Sequence, residues 1–188
     1  MKRVLLILMA ALALSPAMMA GDKKKKPAKA VVNENEINWM TIDEVQAAMK
    51  KEPRRVFMDV YTGWCGWCKV MDKKTFTNPE VIKYINQNFY AVKFNAERQD
   101  SIRFMGKTYG FVPDYKAHML AVELMRGQMT YPTSVILEEN FQNPQVVPGY
   151  LDVPTMERVL KYINENNKTK TWEDYSKDFK SSWEQAQG

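Results

Sequence analysis

The residues of this chain best suited to chemistry are its two cysteines, Cys65 and Cys68, which are separated by two residues. A disulfide that closes so small a loop constrains the unfolded chain little, so structural stapling explains the pair poorly. Paired thiols at this spacing serve either as half of a metal site or as a redox couple. A closed zinc site needs four ligands, and the chain has one histidine, His118. The composition therefore favours the redox couple and leaves a metal site as the alternative.

A short buried strand followed by a helix is predicted to hold the two thiols. Residues 56–61 are apolar and β-prone apart from one acid, and Gly63 supplies a turn before a helix that runs to about Lys74. Cys65 then lies at the N-terminus of this helix, where free N–H groups and the helix dipole stabilise a thiolate. Cys68 lies three residues later on the same face, which allows the two sulfurs to bond.

Stabilising the Cys65 thiolate explains only part of the rate of disulfide exchange expected for this pair. Lowering a thiol pKa from ~8.5 to ~7 raises its thiolate fraction at neutral pH about fifteen-fold. The accompanying loss of intrinsic nucleophilicity removes about five-fold of that gain. The larger advantage is a second thiol held beside any mixed disulfide at high effective concentration. The pair, rather than either cysteine alone, is the predicted catalyst.

Asp59 is the acid that interrupts the predicted strand. An unpaired carboxylate is costly to bury, so its presence in an apolar strand needs an explanation. One explanation is that Asp59 exchanges a proton with the thiol pair, since perturbed carboxyls cluster at functional sites. The other is that its side chain faces a polar pocket.

Helices and strands alternate along the rest of the chain. Thr41 to Glu44 forms a capping box, and Asn78 followed by Pro79 is typical of a helix start. The alternation predicts an α/β fold with at least one parallel pair of strands. Further helices are predicted at about 41–51, from 79, at 118–126, at 153–166 and from 171, and further strands at 89–95, 133–137 and 146–147.

The N-terminus has the features of a secretory signal peptide over residues 1–20, with a basic start, an apolar run and small residues before a junction at Ala20. An uncleaved membrane anchor is the alternative, but the run Val4–Leu14 is short against the ~20 residues that a spanning helix needs. Cleavage would lower the formal charge from +5 to +3. Residues 21–37 are expected to form a flexible basic linker. We therefore expect a periplasmic or secreted protein without stable membrane insertion.

Composition and length bound the remaining possibilities. The chain has 188 residues, 45% hydrophobic and 26% charged, which suits one soluble globular domain. The basic run of the linker has no aromatic residues interleaved with it, so no nucleic-acid partner is predicted.

The segment Phe57–Lys69, FMDVYTGWCGWCK, resembles the active-site segment of the thioredoxin superfamily, and Tyr131–Thr133 resembles its cis-proline loop. The resemblance is closest to exported bacterial thioredoxin-like thiol–disulfide oxidoreductases. It implies a thioredoxin fold, an α/β structure whose central mixed sheet is flanked by helices. This domain would span 38–168, with a helix inserted within 97–129 and a C-terminal helical extension at 169–188.

The resemblance also implies residue roles. Cys65 would be the exposed nucleophile, Cys68 the resolving thiol, and Asp59 the acid that transfers the proton of Cys68. A cis bond before Pro132 would place the backbone of its neighbours beside Cys65, although an X–Pro bond taken alone is usually trans. Trp64 would be either a contact surface or a packing residue. The residues expected to bind substrate are Trp64, Gly66, Trp67, Tyr131, Pro132 and Thr133.

The predicted function is thiol–disulfide exchange with exported client proteins. Reduction is the favoured direction, because Gly66 matches the reducing branch of the superfamily and the intervening pair lacks the histidine of strong oxidants. The alternatives are an oxidase or isomerase, or a partner-binding or metal-delivery module without turnover. No nucleotide or flavin motif is present, so the redox-active disulfide is the only predicted cofactor. Electrons would then come from a partner, such as a thiol donor in the membrane.

Overall fold

The computed structural model describes residues 33–166 and 168–183. The predicted signal peptide and most of the predicted linker lie outside these residues. Among the described helices, none is long and apolar enough to cross a bilayer.

A mixed five-stranded sheet forms the centre of the domain, in the order β1-β3-β2-β8-β9. The strands β1 and β2 run parallel to β3, whereas β8 and β9 are antiparallel to β2 and to each other. The sheet confirms the predicted mixed α/β class. Its strands are β1 (Trp39–Met40), β2 (Arg55–Tyr61), β3 (Phe89–Asn95), β8 (Thr133–Leu137) and β9 (Gln145–Pro148).

Helices cover both faces of this sheet, so side chains that alternate along a strand are buried in two different cores. Val56, Met58 and Val60 of β2 pack into one core, whereas Phe57 points into the other. The first core lies against α1 and α4, and the second lies against α2, α3 and α5. The helices are α1 (Ile42–Met49), α2 (Gly66–Lys74), α3 (Pro79–Asn88), α4 (Met119–Leu124), α5 (Val153–Lys161) and α6 (Trp172–Asp178).

The helix starts follow from their capping residues. Thr41 and Glu44 form the predicted capping box at α1. The Asn78 side chain accepts hydrogen bonds from the first turn of α3, with Pro79 as its first residue. The Thr171 hydroxyl caps α6 in the same way.

The stretch between β3 and β8 contains more structure than the sequence predicts. Two short hairpins precede α4: β4 (Ile102–Phe104) with β5 (Lys107–Tyr109), and β6 (Phe111–Val112) with β7 (Ala117–His118). Strands of two or three residues are too short for alternation to reveal them. The inserted helix α4 is also shorter than predicted at both ends, because His118 is its N-cap and Met125 is its C-cap.

His118 is a buried packing residue. The residue is 0% exposed, and its ring lies against Phe94 with a 5.5 Å centroid distance. Nδ1 accepts the Leu120 N–H at 3.3 Å, and Nε2 lies 3.1 Å from the Asp100 carbonyl. Both ring nitrogens are therefore occupied in structural contacts.

The end of the chain folds back onto α5. The helix ends at Lys161 and continues as a single π-type turn, Tyr162–Asn166, in place of the uniform predicted helix. Beyond α6, residues 181–183 surround the fully buried carboxylate of Glu157, which accepts the backbone N–H groups of Ser182 and Trp183 at 2.9 and 3.0 Å. The hydroxyls of Ser181 and Ser182 and the ammonium of Lys161 also bond to it.

Glu157 is expected to tie the C-terminal segment to the domain in a pH-dependent way. Burial raises its pKa, but the bonds from Lys161, Ser181 and Ser182 outweigh burial and hold the pKa at about 2. Its stabilisation is therefore complete above the unfolded-state pKa and is lost as the pH falls towards 2. We expect Glu157→Gln to lower the free energy of unfolding at pH 7 by about 2–4 kcal/mol. Urea unfolding followed by tryptophan fluorescence measures this difference.

The difference between the two proteins should shrink between pH 4.5 and pH 2, as wild-type Glu157 becomes protonated. Glu173→Gln, at an exposed position of α6, is the control and should change stability by less than about 0.5 kcal/mol. Equal stability of wild type and Glu157→Gln at pH 7 would contradict this role.

Candidate redox active site

The two cysteines lie where β2 gives way to α2. The chain leaves the sheet after Tyr61, and Cys65 is the N-cap of α2 in extended conformation. Its Sγ accepts the backbone N–H of Cys68 at 3.1 Å, and the two sulfurs form a disulfide. The Cys65 Sγ therefore lies at the positive end of the helix dipole, where a thiolate would be stabilised.

The disulfide is well shielded. Cys65 is 3% exposed and Cys68 is 2% exposed. The resemblance implied an exposed nucleophile, which does not describe Cys65 in this bonded form. The bonded pair therefore presents only a small surface to solvent.

Asp59 lies beneath α2 on the central strand. It alternates with Met58 and Val60, so its side chain points to the same sheet face as Phe57, the face that α2 covers. The residue is 1% exposed. Its Oδ2 accepts a hydrogen bond from the Lys93 ammonium at 2.9 Å, whereas Oδ1 has no partner among the described residues. One carboxyl oxygen is thus free to take up a proton.

Lys93 is a site residue that the sequence analysis missed. It lies directly opposite Asp59 in the parallel β2–β3 ladder, so both side chains occupy the same face. Its ammonium also bonds to the carboxylate of Asp72 and lies 5.1 Å from the ring centroids of Trp39, Tyr61 and Phe76. The alternation of β3 alone could have flagged it, because a lysine occupies an inward register position there.

Asp72 links this ion pair to the cysteine helix. It lies four residues after Cys68, one turn along the same face of α2. Because Asp72 and Asp59 share Lys93, the cation divides its attraction between two carboxylates. Asp59 therefore has a charged partner and also lies on the sheet face that α2 covers, so the two explanations drawn from the sequence are compatible.

The proton affinity of Asp59 suits exchange near neutral pH. Burial raises its pKa to about 6, the Lys93 cation opposes this rise, and the Asp72 charge adds to it. A carboxyl with this pKa can both accept and return a proton at physiological pH.

An aromatic groove lies beside the disulfide. Trp64 and Trp67 are 69% and 61% exposed. The Trp64 ring meets Tyr131 edge-on at 5.8 Å, and the Trp67 ring lies 5.3 Å from Tyr150. A cavity of about 310 Å³ is lined by Trp67, Tyr131, Pro132, Gly149 and Tyr150. We call these five residues and Trp64 the client groove; Tyr150 is its member that the sequence analysis missed.

The residues around Pro132 that were expected to bind substrate differ in their exposure and in their hydrogen bonds. The Tyr131–Pro132 peptide bond is cis. The Pro132 carbonyl accepts the Gly149 N–H at 2.8 Å, which joins the two walls of the groove. Thr133 is fully buried, and its hydroxyl donates to the Thr130 carbonyl at 2.8 Å, so its side chain is directed away from a client. Gly66 is exposed, with open space where a Cβ would be.

Glu97 positions the loop before Cys65. Its Oε1 accepts the Trp64 indole N–H and its Oε2 accepts the Gly63 N–H, both at 3.0 Å. Trp64 is therefore held with its ring outward, which supports the prediction of a contact surface over that of a packing residue. Nothing in the sequence pattern singled out Glu97, because it follows β3 in the irregular stretch.

Metal binding was the alternative use of the cysteines. Within 33–166 and 168–183, no three histidine, cysteine, aspartate or glutamate side chains converge in a way that could hold a metal ion.

Comparison with known proteins assigns the family. Residues 23–187 match the family model Thioredox_DsbH, described as a protein of unknown function, DUF255, and the chain belongs to this family. Among curated relatives, an uncharacterized protein of Caenorhabditis elegans, B0495.5, is 29% identical over 104 residues, which are 55% of this chain and 13% of that protein. Spermatogenesis-associated protein 20 of Mus musculus is 29% identical over 69 residues, 36% of this chain and 9% of that protein. The chain thus spans about a tenth of the length of these relatives.

Solved structures confirm the fold. A thioredoxin-fold protein from Helicobacter pylori superposes with a TM-score of 0.50 at 18% identity, covering 66% of this chain and 78% of its own. A putative disulphide-isomerase from Bacteroides thetaiotaomicron gives 0.50 at 20% identity, covering 74% and 100%. The predicted resemblance to the thioredoxin superfamily is confirmed by the family match and by the fold, and the Cys65–Cys68 disulfide lies within the matched residues.

The raised pKa of Asp59 should appear in the pH dependence of stability. Because the folded protein holds this proton above the unfolded-state pKa, wild type loses stability as the pH rises through about 6. We expect Asp59→Asn to abolish this loss. The stability of the variant relative to wild type should therefore increase by up to about 3 kcal/mol from pH 4 to pH 8. Denaturant unfolding of the oxidised proteins across this range measures the change.

Asp114→Asn, at an exposed position, is the matched control and should follow wild type at every pH. A constant difference between Asp59→Asn and wild type would show that Asp59 titrates at its ordinary pKa, and would remove the basis for a proton-transfer role.

Proposed function

We propose that this protein reduces disulfide bonds of exported client proteins through the Cys65–Cys68 pair. The observation that carries the proposal is the placement of this disulfide at the start of α2, the helix that covers the sheet face of Asp59 and Lys93, with the client groove beside it. Such a site can supply a nucleophile, a resolving thiol, a proton acceptor and a surface for the client.

The first step is attack by the Cys65 thiolate on a client disulfide. A bond forms between Cys65 Sγ and one client sulfur, while the client bond breaks and its second sulfur leaves as a thiolate. The Cys68 N–H that bonds to Cys65 Sγ, together with the dipole of α2, stabilises the attacking anion. The mixed disulfide then holds the client in the groove.

The second step is resolution by Cys68. Its thiol passes a proton to the Asp59 carboxylate, and the resulting thiolate attacks Cys65 Sγ. The Cys65–Cys68 bond forms, and the client sulfur leaves and takes up a proton. The client has gained two electrons and two protons, and the protein has been oxidised to its disulfide form. Asp59 suits this step, because its raised pKa makes it a proton acceptor near neutral pH.

Turnover then needs a dithiol donor that reduces the Cys65–Cys68 bond. We propose a membrane thiol protein as this donor and the periplasm or the extracellular space as the place of action, following the predicted signal peptide. The favoured direction follows from the Gly66 position and from the absence of histidine between the cysteines.

The proposal predicts a reducing potential and catalytic reduction of a model client. We expect the reduction potential of the Cys65–Cys68 pair to be about −270 mV, whereas a strong oxidant has a reduction potential of about −120 mV. With dithiothreitol as donor, wild type should accelerate insulin reduction, as followed by turbidity. Equilibration with glutathione or dithiothreitol buffers and thiol alkylation gives the potential.

The two cysteine variants separate the roles of the sulfurs. Cys65→Ser should be inactive, whereas Cys68→Ser should accumulate a mixed disulfide with the client because the resolving thiol is missing. A reduction potential of about −120 mV for the Cys65–Cys68 pair would instead indicate that the protein oxidises its clients. A pair that does not cycle at all between dithiol and disulfide would exclude turnover in either direction.

Asp59 should act on resolution more than on attack. In single-turnover experiments at pH 7, we expect Asp59→Asn to slow release of the client from the mixed disulfide about tenfold or more, since positioned proton transfer contributes on the order of 10²-fold. Formation of the mixed disulfide should change less than about twofold. Quenched-flow alkylation resolves the two steps, with Asp114→Asn as control. Equal slowing of both steps would remove Asp59 from the mechanism.

A further inference from the structure

We propose that the client groove is electrically polarised, and that it favours extended client segments carrying an acidic residue on the side of Lys73 and Lys74. This inference rests on the proposed function and names the class of client that the same site prefers.

The apolar groove continues into a basic one. Tyr150 lines the cavity beside Pro132 and also a second cavity of about 540 Å³. That second cavity is lined by Lys73 and Lys74 from the end of α2 and by Asp152 from the start of α5. A polypeptide that crosses the aromatic groove past Tyr150 therefore meets two ammonium groups next.

These two lysines are free to bind a client. Both are exposed, and neither forms an ion pair with any residue in the described part of the chain. The carboxylate of Asp152 is committed to its own helix, because its Oδ1 accepts the Thr155 N–H at 2.9 Å as the N-cap of α5. The N-terminus of that helix also offsets part of its negative charge. The second cavity thus keeps an excess of positive charge.

The opposite end of the groove carries the opposite charge. The carboxylate of Glu97 holds Trp64 and Gly63, and its charge also raises the pKa of Tyr131, after the larger effect of burial. An acidic client residue is therefore repelled at the Trp64 end and attracted at the Lys74 end. The groove distinguishes the two placements of one charge along a client.

The spacing fixes where that acid should stand. Trp67 and Lys74 are seven residues apart on one side of α2, which corresponds to about 10.5 Å along the helix. An extended strand covers this distance in about three residues. Because the reactive client cysteine bonds to Cys65 and is expected to lie next to Trp67, the preferred acid should stand three or four residues from that cysteine.

Disulfide-containing peptides of matched length test this inference. One is neutral, one carries two glutamates three and four residues before the reactive cysteine, and one carries them after it. We expect one acidic placement to raise kcat/KM about three- to tenfold over the neutral peptide at low ionic strength, with the other placement unchanged or slower. The ratio should approach one at 1 M NaCl, where the Debye length is about 3 Å.

The double variant Lys73→Glu/Lys74→Glu should remove the preference for the acidic peptide and favour a peptide with lysines at the same positions. Lys50→Glu/Lys83→Glu changes the net charge equally, at the exposed C-cap of α1 and an exposed position on α3, and should leave the preference intact. Equal rates for all peptides, or equal effects of both double variants, would overturn the polarised groove. Failure of wild type to reduce even the neutral peptide would instead overturn the proposed function.

Discussion

The buried ion pair between Asp59 and Lys93 is the constraint on which the active site depends. A carboxyl that is 1% exposed on the central strand can be tolerated only with a partner, and the parallel β2–β3 ladder places a lysine directly opposite it. The pairing is incomplete, because Lys93 also serves Asp72 and one oxygen of Asp59 has no partner. Incomplete pairing leaves burial as the stronger effect and raises the pKa of Asp59 to about 6. A fully satisfied pair would keep the carboxyl ionised and unable to take up a proton.

The same register explains why the helix with the cysteines lies where it does. Residues of β2 alternate between two cores, and Asp59 shares a face with Phe57, which packs in the core that includes Met71 of α2. Met71 and Cys68 are three residues apart and are the buried residues of α2. Packing of α2 onto the sheet therefore brings Cys68 to the sheet face that carries Asp59. The contacts that hold α2 on the sheet are therefore also the contacts that position Cys68.

The long, periodic elements of this domain could be predicted from the sequence, because their signals are local. The bounds of β3 and β8 were predicted correctly, as were the caps at Thr41 and Asn78. The hairpin β4–β5 was missed because its three-residue strands are too short for alternation to reveal them. Its turn also places Met105 in the left-handed region, a conformation that methionine rarely adopts. Lys93, Glu97 and Tyr150 were missed for different reasons. Glu97 and Tyr150 act through partners distant in sequence, which neither composition nor spacing encodes, whereas the inward register position of Lys93 in β3 could have indicated it.

In the proposed function, the side chains around the two sulfurs determine which clients bind. A client there contacts the exposed rings of Trp64 and Trp67, which adjoin the two cysteines in the chain. Large rigid aromatics bind many apolar surfaces with little loss of side-chain entropy, so Trp64 and Trp67 alone would give a permissive site. Charge at the two ends of the groove adds what the rings lack, a preference for one direction of a client segment. Reactivity is thus set beneath α2, whereas recognition is set along its exposed side.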